Sequence, residues 1–230
     1  MSDLMRTILA GLGVAVVAYA MGSLNFAIMI SRLTKASDIR NYGSGNAGMT
    51  NMLRTFGKKA AAGTFIGDFV KGAAAVAVGR LIFSWLGIDV IDAGYIAGIF
   101  VVLGHIFPLF FGFRGGKGIS TALGVMLMLN WMVFVVIAIG LIPTVFIVRI
   151  VSAVSLIGAS MFPVLIFLVT YLQGGDMMRE VIPSTLCALV ITCLAYYAHR
   201  DNIKRLRAGT ERVVTAAKKD EGSADDGKEN

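Results

Sequence analysis

Charged residues are scarce in this sequence. Asp, Glu, Lys and Arg make up only 15% of its 230 residues, whereas soluble domains carry roughly 25%. Hydrophobic residues make up 57%, the mean hydropathy is +0.77, and several apolar runs approach the ~20 residues that a membrane-spanning helix needs. The composition therefore excludes an ordinary soluble domain and predicts an all-α, polytopic membrane helix bundle.

Cysteine and histidine are equally scarce, with two residues of each. Cys187 and Cys193 are six positions apart in one apolar run, and their helical directions diverge, so a mutual disulfide is not expected. His105 and His199 have no Cys or carboxylate nearby at metal-ligand spacing. The sequence thus predicts no metal site.

The number of membrane spans depends on one long apolar run. Its 30 residues, Ile119–Val148, would form a helix of about 45 Å, well beyond the roughly 30 Å hydrocarbon core. They form either one steeply tilted helix or two short helices that turn near Asn130 and Trp131. The other apolar runs cover residues 8–30, 60–86, 91–111, 156–172 and 181–198.

The distribution of basic residues favours two helices in that run. Seven spans collect nearly all Lys and Arg on one side of the membrane, whereas six spans split them. We therefore predict seven transmembrane helices, with the N-terminus periplasmic and the C-terminus in the cytoplasm. The net charge of +7 is then explained by the orientation of the chain in a lipid bilayer, and we expect no nucleic acid partner. Residues 1–212 form a single transmembrane domain, and residues 213–230 form a disordered cytoplasmic tail.

In this topology the glycine-rich polar segments share the cytoplasmic face. "GSGNAGMTN" (Gly43–Asn51) can expose successive backbone N–H groups to an anion, and "GFRGGKG" (Gly112–Gly118) opens a helix beside Lys117. The second segment is not a Walker loop, because Gly118 stands where a Ser or Thr is needed. The alternative interpretation is a tight turn whose charges only set topology. Arg149 and Ser152 could also bind a phosphate.

Ionisable residues inside apolar runs are candidate functional groups. His105 is predicted about two turns before the cytoplasmic end of its helix, and His199 ends the last span. Asp68 and Lys71 are three positions apart on one helix face, so we expect a buried pair that orders the site.

Four blocks of sequence carry a resemblance to a known family. "GSLNFA", "DIRNYGSGNAGMTNMLRTFGKKA", "GHIFPLFFGFRGGKGISTALG" and "HRDNIKRLRAGTE" together resemble the bacterial membrane-bound acyl-phosphate:glycerol-3-phosphate acyltransferases. The resemblance implies transfer of a fatty acyl group from acyl phosphate to the sn-1 hydroxyl of glycerol 3-phosphate, giving lysophosphatidic acid in phospholipid biosynthesis. It also implies residence in the bacterial inner membrane, an active site that faces the cytoplasm, no cofactor, and contact with the upstream enzyme that forms acyl phosphate.

The resemblance also assigns site residues. His105, His199 and Asn202 are the expected catalytic group, with a role of His105 in proton transfer. The expected substrate and phosphate ligands in these blocks are Ser44, Gly45, Asn46, Thr50, Asn51, Arg54, Gly115, Gly116, Lys117, Gly118, Lys204 and Glu211, and Arg149 and Ser152 join them on residue type alone. The chain departs from the family at Asn25 and Ala47, where proline is usual, and at Met49, where a small residue is usual.

A membrane transporter of a phosphorylated metabolite is the alternative function. It predicts polar residues near the bilayer midplane in both halves and an inverted repeat. The sequence has no internal repeat, and its polar residues crowd one face. The H-x-x-x-x-D pair of soluble-type acyltransferases is absent, since Phe110 and Lys204 occupy the fifth positions after the two histidines.

Overall fold

The structure, a computed structural model, describes residues 2–213, and within that range it is helical with no β-strand. The predicted all-α bundle is therefore confirmed for this part of the chain. The α-helices are α1 (Asp3–Gly22), α2 (Phe26–Lys35), α3 (Met49–Trp85), α4 (Ala93–Ile106), α5 (Ile119–Leu129), α6 (Trp131–Val148), α7 (Val151–Leu172), α8 (Ile182–Ala198) and α9 (Arg200–Arg207). Short 3-10 helices cover Ile39–Asn41 and Leu109–Phe111, and a π-helical turn covers Met177–Val181.

The first apolar run is broken in the structure, although the sequence predicts one continuous span there. Asn25 caps α2 by accepting a hydrogen bond from the Ile28 amide, and its Nδ2 donates to the Ala47 carbonyl at 3.2 Å. The hydroxyl of Ser23 accepts the Leu109 amide at 3.1 Å. These buried polar side chains offer the backbone alternative partners, so the helix ends at Gly22 and restarts at Phe26.

Helix α3 is the central element of the bundle and packs against α1, α2, α4 and α5. Its backbone is kinked at Gly57, where φ is 82°. Glycines allow α3 and α5 to approach closely: a Cβ at Gly72 would collide with the Thr121 carbonyl, and one at Gly124 with the Phe69 carbonyl. This close packing holds the start of α5, and the loop before it, against the middle of α3.

The predicted break at Asn130 is confirmed. Asn130 is extended (φ −157°), and its side chain caps α6 by accepting hydrogen bonds from the Met132 and Val133 amides. Helix α5 has 11 residues and is therefore only about 16 Å long. Arg80 secures its far end by donating to the Met128 carbonyl at 2.8 Å while pairing with Asp92.

Five segments of the described chain are long and apolar enough to cross a membrane. They are Asp3–Lys35, Ala93–Phe111, Trp131–Val148, Val151–Leu172 and Met177–Ala198. Helix α5 is apolar but shorter, and α3 carries Asp68, Lys71 and Arg80 along its length. The predicted tail, residues 213–230, lies outside the described residues except for Val213.

Candidate active site

A cavity of about 370 Å³ opens among helices α3, α5, α6, α7 and α8. One part of its wall is polar and comes from loops and helix ends, together with Asp68 from the middle of α3. That part includes Ser44, Asn46, Thr50, Arg54, Asp68, His105, Lys117, Ser120, Ser152, His199, Asn202, Arg205, Glu211 and Arg212. The rest comes from residues further along the helices and is apolar, including Phe65, Met126, Phe134, Ile137, Leu141, Val154, Phe162 and Ile191. We call these parts the polar end and the apolar arm.

The loop before α3 is organised by the buried side chain of Asn51. Its Oδ1 accepts the Ser44 amide at 3.0 Å, and its Nδ2 donates to the carbonyls of Tyr42 (3.0 Å) and Asn46 (3.1 Å). Asn51 touches the cavity, but its polar atoms are engaged within the loop. Asn51 therefore holds the shape of this loop, and the hydroxyl groups of Ser44 and Thr50 line the cavity.

The glycine loop before α5 is folded back onto the end of α4. The amide of Gly115 donates to the Ile106 carbonyl at 3.1 Å, and that of Gly116 donates to the His105 carbonyl at 3.2 Å. These two N–H groups are therefore not free to bind an anion, contrary to the expectation from the sequence. Lys117 and Gly118 line the cavity instead, so the loop presents the lysine side chain.

Lys117 lies in a group of charges contributed by three segments of the chain. Burial lowers the pKa of Lys117 to about 8, and the charges of Arg205 and Arg54 act in the same direction while Glu211 opposes them. Three cations, Lys117, Arg54 and Arg205, with two nearby carboxylates, Glu211 and Asp201, leave this part of the polar end with a net positive charge, which suits a phosphate.

Glu211 connects α7, α9 and the end of the described chain. Its Oε1 accepts hydrogen bonds from Ser152 Oγ (3.0 Å) and Asn202 Nδ2 (2.6 Å), and its Oε2 pairs with Arg205 Nε at 2.7 Å. Burial raises the pKa of Glu211, but these hydrogen bonds outweigh burial and lower it overall. The carboxylate therefore positions Ser152, Asn202 and Arg205 at the cavity.

His199 caps the end of α8 and is 1% exposed. Its Nδ1 lies 2.8 Å from the Ala195 carbonyl, which can only accept, so Nδ1 carries the proton. Burial and the charge of Lys117 lower the pKa of His199 to about 4. The ring is therefore neutral near pH 7, and its Nε2 is a hydrogen-bond acceptor.

His105 lies in the last turn of α4, because the helix ends at Ile106 rather than two turns later as the sequence suggested. Pro108 explains the early end, since proline disfavours a helical residue before it. Asp68 and Lys71 form a buried ion pair of 2.7 Å, and Lys71 Nζ also lies 3.0 Å from His105 Nδ1. Asp68 and His105 line the polar end of the cavity.

Five predicted phosphate ligands do not line the cavity: Gly45, Gly115, Gly116, Arg149 and Lys204. Arg149 ends α6 in a left-handed conformation (φ 57°) and is exposed. Lys204 is exposed and lies 3.9 Å from Asp201 on the outer side of α9. Gly45 sits in an exposed turn with φ 72°. Each of these residues lies within a few positions of a residue that lines the cavity but does not line it itself.

Sequence reasoning missed Arg205 and Ser120, which line the cavity. Arg205 follows Asn202 by three positions on α9, a spacing that places both on one helix face and could have indicated it. Ser120 gives no such signal, because a serine at the start of a helix is common. Among residues 2–213, no three His, Cys, Asp or Glu side chains lie close enough together to hold a metal ion.

Comparison with known proteins identifies close relatives. The profile of the family described as glycerol-3-phosphate acyltransferase matches residues 12–209. A protein of Clostridioides difficile (strain 630) named glycerol-3-phosphate acyltransferase is 41% identical over 201 residues, which cover 87% of this chain and 94% of the relative. A protein of the same name from Pseudomonas paraeruginosa (strain DSM 24068 / PA7) is 40% identical over 198 residues, covering 86% and 96%.

Two crystal structures share the fold. Both are of PlsY (YgiH), an integral membrane glycerol 3-phosphate acyltransferase. The glycerol 3-phosphate form has a TM-score of 0.75 and 35% identity, covering 89% of this chain and 96% of that chain. The lysophosphatidic acid form has a TM-score of 0.73 and 33% identity, covering 88% and 94%.

Proposed function

The chain belongs to the glycerol-3-phosphate acyltransferase family, and from that premise we propose that it acylates glycerol 3-phosphate with acyl phosphate as the donor. It is a multi-pass membrane enzyme whose product is lysophosphatidic acid. The observation that carries the proposal is the cavity, which joins a cationic polar end to an apolar arm. The alternative of a transporter is set aside, because the relatives are named as transferases.

The phosphates of both substrates bind at the polar end in this proposal. Lys117, Arg54 and Arg205 supply the positive charge, and a buried cation paired with phosphate contributes more than an exposed one. Ser44, Thr50 and Ser152 supply hydroxyl donors on the same wall. Support comes from the net positive charge of this region, since Glu211 is already bonded to three neighbours.

The acyl chain of the donor lies in the apolar arm. The arm is lined by side chains such as Phe134, Ile137 and Phe162, which offer apolar contact along helices α6 and α7. Burial of each methylene there is worth about 0.8 kcal/mol. The scissile carbonyl then sits where the arm meets the polar end, beside Lys117 and the two histidines.

The chemistry follows from this placement. The sn-1 hydroxyl oxygen of glycerol 3-phosphate bonds to the acyl carbonyl carbon, and the bond from that carbon to the phosphate oxygen breaks. Acyl phosphate is already an activated mixed anhydride, so the protein has mainly to orient the reactants and stabilise charge. Lys117 neutralises the departing phosphate, and Asn202 and His199 orient the glycerol.

The hydroxyl proton passes to a phosphate oxygen. Neutral His199 can accept a hydrogen bond from the hydroxyl at Nε2, but its pKa of about 4 makes it a weak base at neutral pH. A phosphate group titrates close to neutral pH, with a pKa of about 6. His199 therefore holds the hydroxyl in the attacking orientation, and the phosphate takes the proton.

The pKa of Lys117 predicts that kcat/KM falls at alkaline pH, which forms an alkaline limb in the pH profile. Lys117 is charged below its pKa of about 8 and loses its charge as the pH rises through that value. We expect kcat/KM to be at its plateau between about pH 7 and about pH 8, above the pKa of the accepting phosphate, and to fall about tenfold for each pH unit above about pH 8. The measurement is a pH profile of kcat/KM from about pH 6 to about pH 10 in detergent or nanodiscs.

The matched variant for that profile is Lys117→Arg. Arginine stays protonated across this range, so the alkaline limb should vanish even if the plateau is lower. An unchanged limb in Lys117→Arg would assign the titration to another group and refute the role of Lys117 as the charged phosphate ligand.

The experiment that tests the proposed reaction is turnover without cofactors. Purified protein with acyl phosphate and glycerol 3-phosphate should form lysophosphatidic acid and inorganic phosphate in equal amounts, in EDTA and without nucleotide. Activity that disappears on chelation and returns with magnesium or zinc would overturn the mechanism.

We further propose seven membrane helices, α1 and α3–α8, of which the ~16 Å α5 crosses only part of the bilayer. The polar end of the cavity faces the cytoplasm of a bacterium, and the membrane is its inner membrane. Support comes from the charges: the segments that bear Arg54, Lys117 and Arg205 all contribute to the same polar end. Basic residues concentrate on the cytoplasmic side of membrane proteins. We also propose that the enzyme that forms acyl phosphate binds this face of the protein through the exposed basic residues of α9.

Cysteine labelling tests the orientation. The two native cysteines are first removed by Cys187→Ala and Cys193→Ala. Cysteines introduced at the exposed Ser44 and Ala208 should then react with a membrane-impermeant thiol reagent only after the cells are permeabilised. A cysteine at Gly174, an exposed residue between the segments Val151–Leu172 and Met177–Ala198, should react in intact cells. Labelling of the Ala208 and Gly174 positions from the same side would exclude seven spans.

A further inference from the structure

Lys71 is a buried ammonium group with three potential acceptor atoms close to its Nζ. Its Nζ lies 2.6 Å from the Leu24 carbonyl, 2.7 Å from Asp68 Oδ1 and 3.0 Å from His105 Nδ1. An ammonium group has three N–H bonds and no lone pair, so it can only donate. The contacts with the Leu24 carbonyl and, if it accepts, with His105 Nδ1 are hydrogen bonds, whereas Asp68 Oδ1 is an ion-pair partner that receives no hydrogen bond from the described residues.

This arrangement determines which ring nitrogen of His105 carries the proton. A proton on Nδ1 would point at the Lys71 ammonium group, 3.0 Å away, or at Asp68 Oδ1, which is more distant at 3.4 Å, and would remove one of the two hydrogen bonds that Lys71 donates. Acceptance at Nδ1 keeps both of these hydrogen bonds and the ion pair of Lys71 with Asp68. In a neutral imidazole the proton then resides on Nε2, which becomes a hydrogen-bond donor.

The Nε2 side of the His105 ring faces the glycine loop and the cavity. A Cβ added to Gly116 would collide with His105 Nε2 and with the Ala47 carbonyl, so Nε2 lies directly against the Gly116 backbone. His105 is 3% exposed and lines the polar end of the cavity. Within residues 2–213, Nε2 makes no hydrogen bond, which leaves this buried donor available to a ligand.

We propose that Lys71 holds His105 as the Nε2–H tautomer, and that this N–H donates a hydrogen bond to a substrate oxygen at the polar end of the cavity. His105 is then a fixed donor, in contrast to the proton-transfer role expected from the sequence. The proposal rests on the proposed function only for the identity of that oxygen, which belongs either to a phosphate or to the reacting carbonyl.

The two histidines consequently have opposite roles. His199 donates from Nδ1 to the Ala195 carbonyl and offers an unprotonated Nε2 to the cavity. His105 accepts at Nδ1 and offers a protonated Nε2. One acceptor and one donor thus face the same cavity, which suits a reaction in which a hydroxyl attacks and an oxygen gains negative charge.

Nitrogen NMR tests the tautomers without reference to activity. The chain has two histidines, so protein labelled with 15N-histidine contains only two imidazole rings. We expect one ring protonated at Nε2 alone and one protonated at Nδ1 alone, and the first signal should disappear in His105→Gln. A His105 ring protonated at Nδ1, or at both nitrogens, would overturn the proposal even if the acyltransferase activity is as described.

Lys71→Met tests whether Lys71 sets the tautomer. Without the ammonium group, we expect the His105 proton to move at least partly to Nδ1, where Asp68 can accept it, while the His199 ring is unchanged. Lys59→Met is the matched control, since Lys59 is an exposed lysine on the same helix. An unchanged His105 spectrum in folded Lys71→Met would refute the role of Lys71.

Two amide substitutions test the donor itself. The longer amide side chain of His105→Gln can place an N–H near the position of Nε2, whereas the shorter one of His105→Asn reaches only the position of Nδ1. We expect His105→Asn to lower turnover by about tenfold or more, because one hydrogen bond to a charged oxygen is lost. We expect His105→Gln to recover most of that loss. Equal losses in the two variants would refute donation from Nε2.

The same kinetics identify the oxygen. A raised KM with unchanged kcat in His105→Asn indicates a bond to a phosphate that is present in the bound substrate. A lowered kcat with unchanged KM indicates a bond that forms as the carbonyl oxygen gains charge. Either pattern supports the donor role, provided that His105→Gln restores the affected constant.

Discussion

Replacing Lys117 with alanine is expected to lower kcat/KM by about tenfold to hundredfold, because a charged hydrogen bond is worth roughly 1.5–3 kcal/mol. Lys117 lines the polar end of the cavity, next to an apolar arm that cannot solvate a phosphate in its place. The loss should appear with both glycerol 3-phosphate and acyl phosphate as the varied substrate if their phosphates share this region. Steady-state kinetics of purified Lys117→Ala measure it.

The matched control is Arg114→Ala, three positions earlier in the same loop. Arg114 is exposed and does not line the cavity, so its removal should leave kcat/KM close to that of the wild type. Wild-type kinetics in a well-folded Lys117→Ala protein would show that the loop is only a turn. Equal losses in the two variants would point to a general effect of charge on the loop.

Gly116→Val is expected to lower kcat/KM by about a hundredfold or more, because small displacements at a reacting site are that costly. The glycine is required for space: a Cβ at this position would collide with His105 Nε2 and with the Ala47 carbonyl. Relief of that overlap must move the His105 ring, the loop before α3, or Lys117 itself. The measurement is turnover together with thermal stability of the purified variant.

Gly140→Val provides the control for Gly116→Val. Gly140 lies in α6, is exposed, and has no atom within 4 Å of an added Cβ outside its own chain neighbourhood. The same change in side chain should therefore leave turnover nearly intact there. Normal kinetics in Gly116→Val would contradict the close contact between the glycine loop and His105.

The sequence predicted the breaks that depend on span length better than those that depend on side-chain capping. The turn at Asn130 follows from a run too long for one span. The break at Ser23–Asn25 lies inside a run of ordinary length, and its cause is a set of hydrogen bonds to distant residues such as Ala47 and Leu109. Apolar periodicity carries no information about those partners.

The candidate site was predictable at the level of segments and less so at the level of atoms. The glycine loop was expected to offer its N–H groups to a phosphate, yet those of Gly115 and Gly116 are bonded to α4 carbonyls. The reason is that α4 ends early at Ile106, which brings its last carbonyls against the loop. The ion pair of Asp68 and Lys71 has the expected spacing, but its contact with His105 requires knowing how α3 and α4 pack.

A comparison of acyl donors tests the central claim most directly. Purified protein is given glycerol 3-phosphate with acyl phosphate, acyl-CoA or acylated acyl carrier protein of one chain length, in EDTA, and lysophosphatidic acid is quantified by mass spectrometry. The cavity has a cationic end suited to a small phosphate and an apolar arm for the chain, so only acyl phosphate should support rapid turnover. Turnover with acyl-CoA or acyl carrier protein as fast as with acyl phosphate would contradict the account.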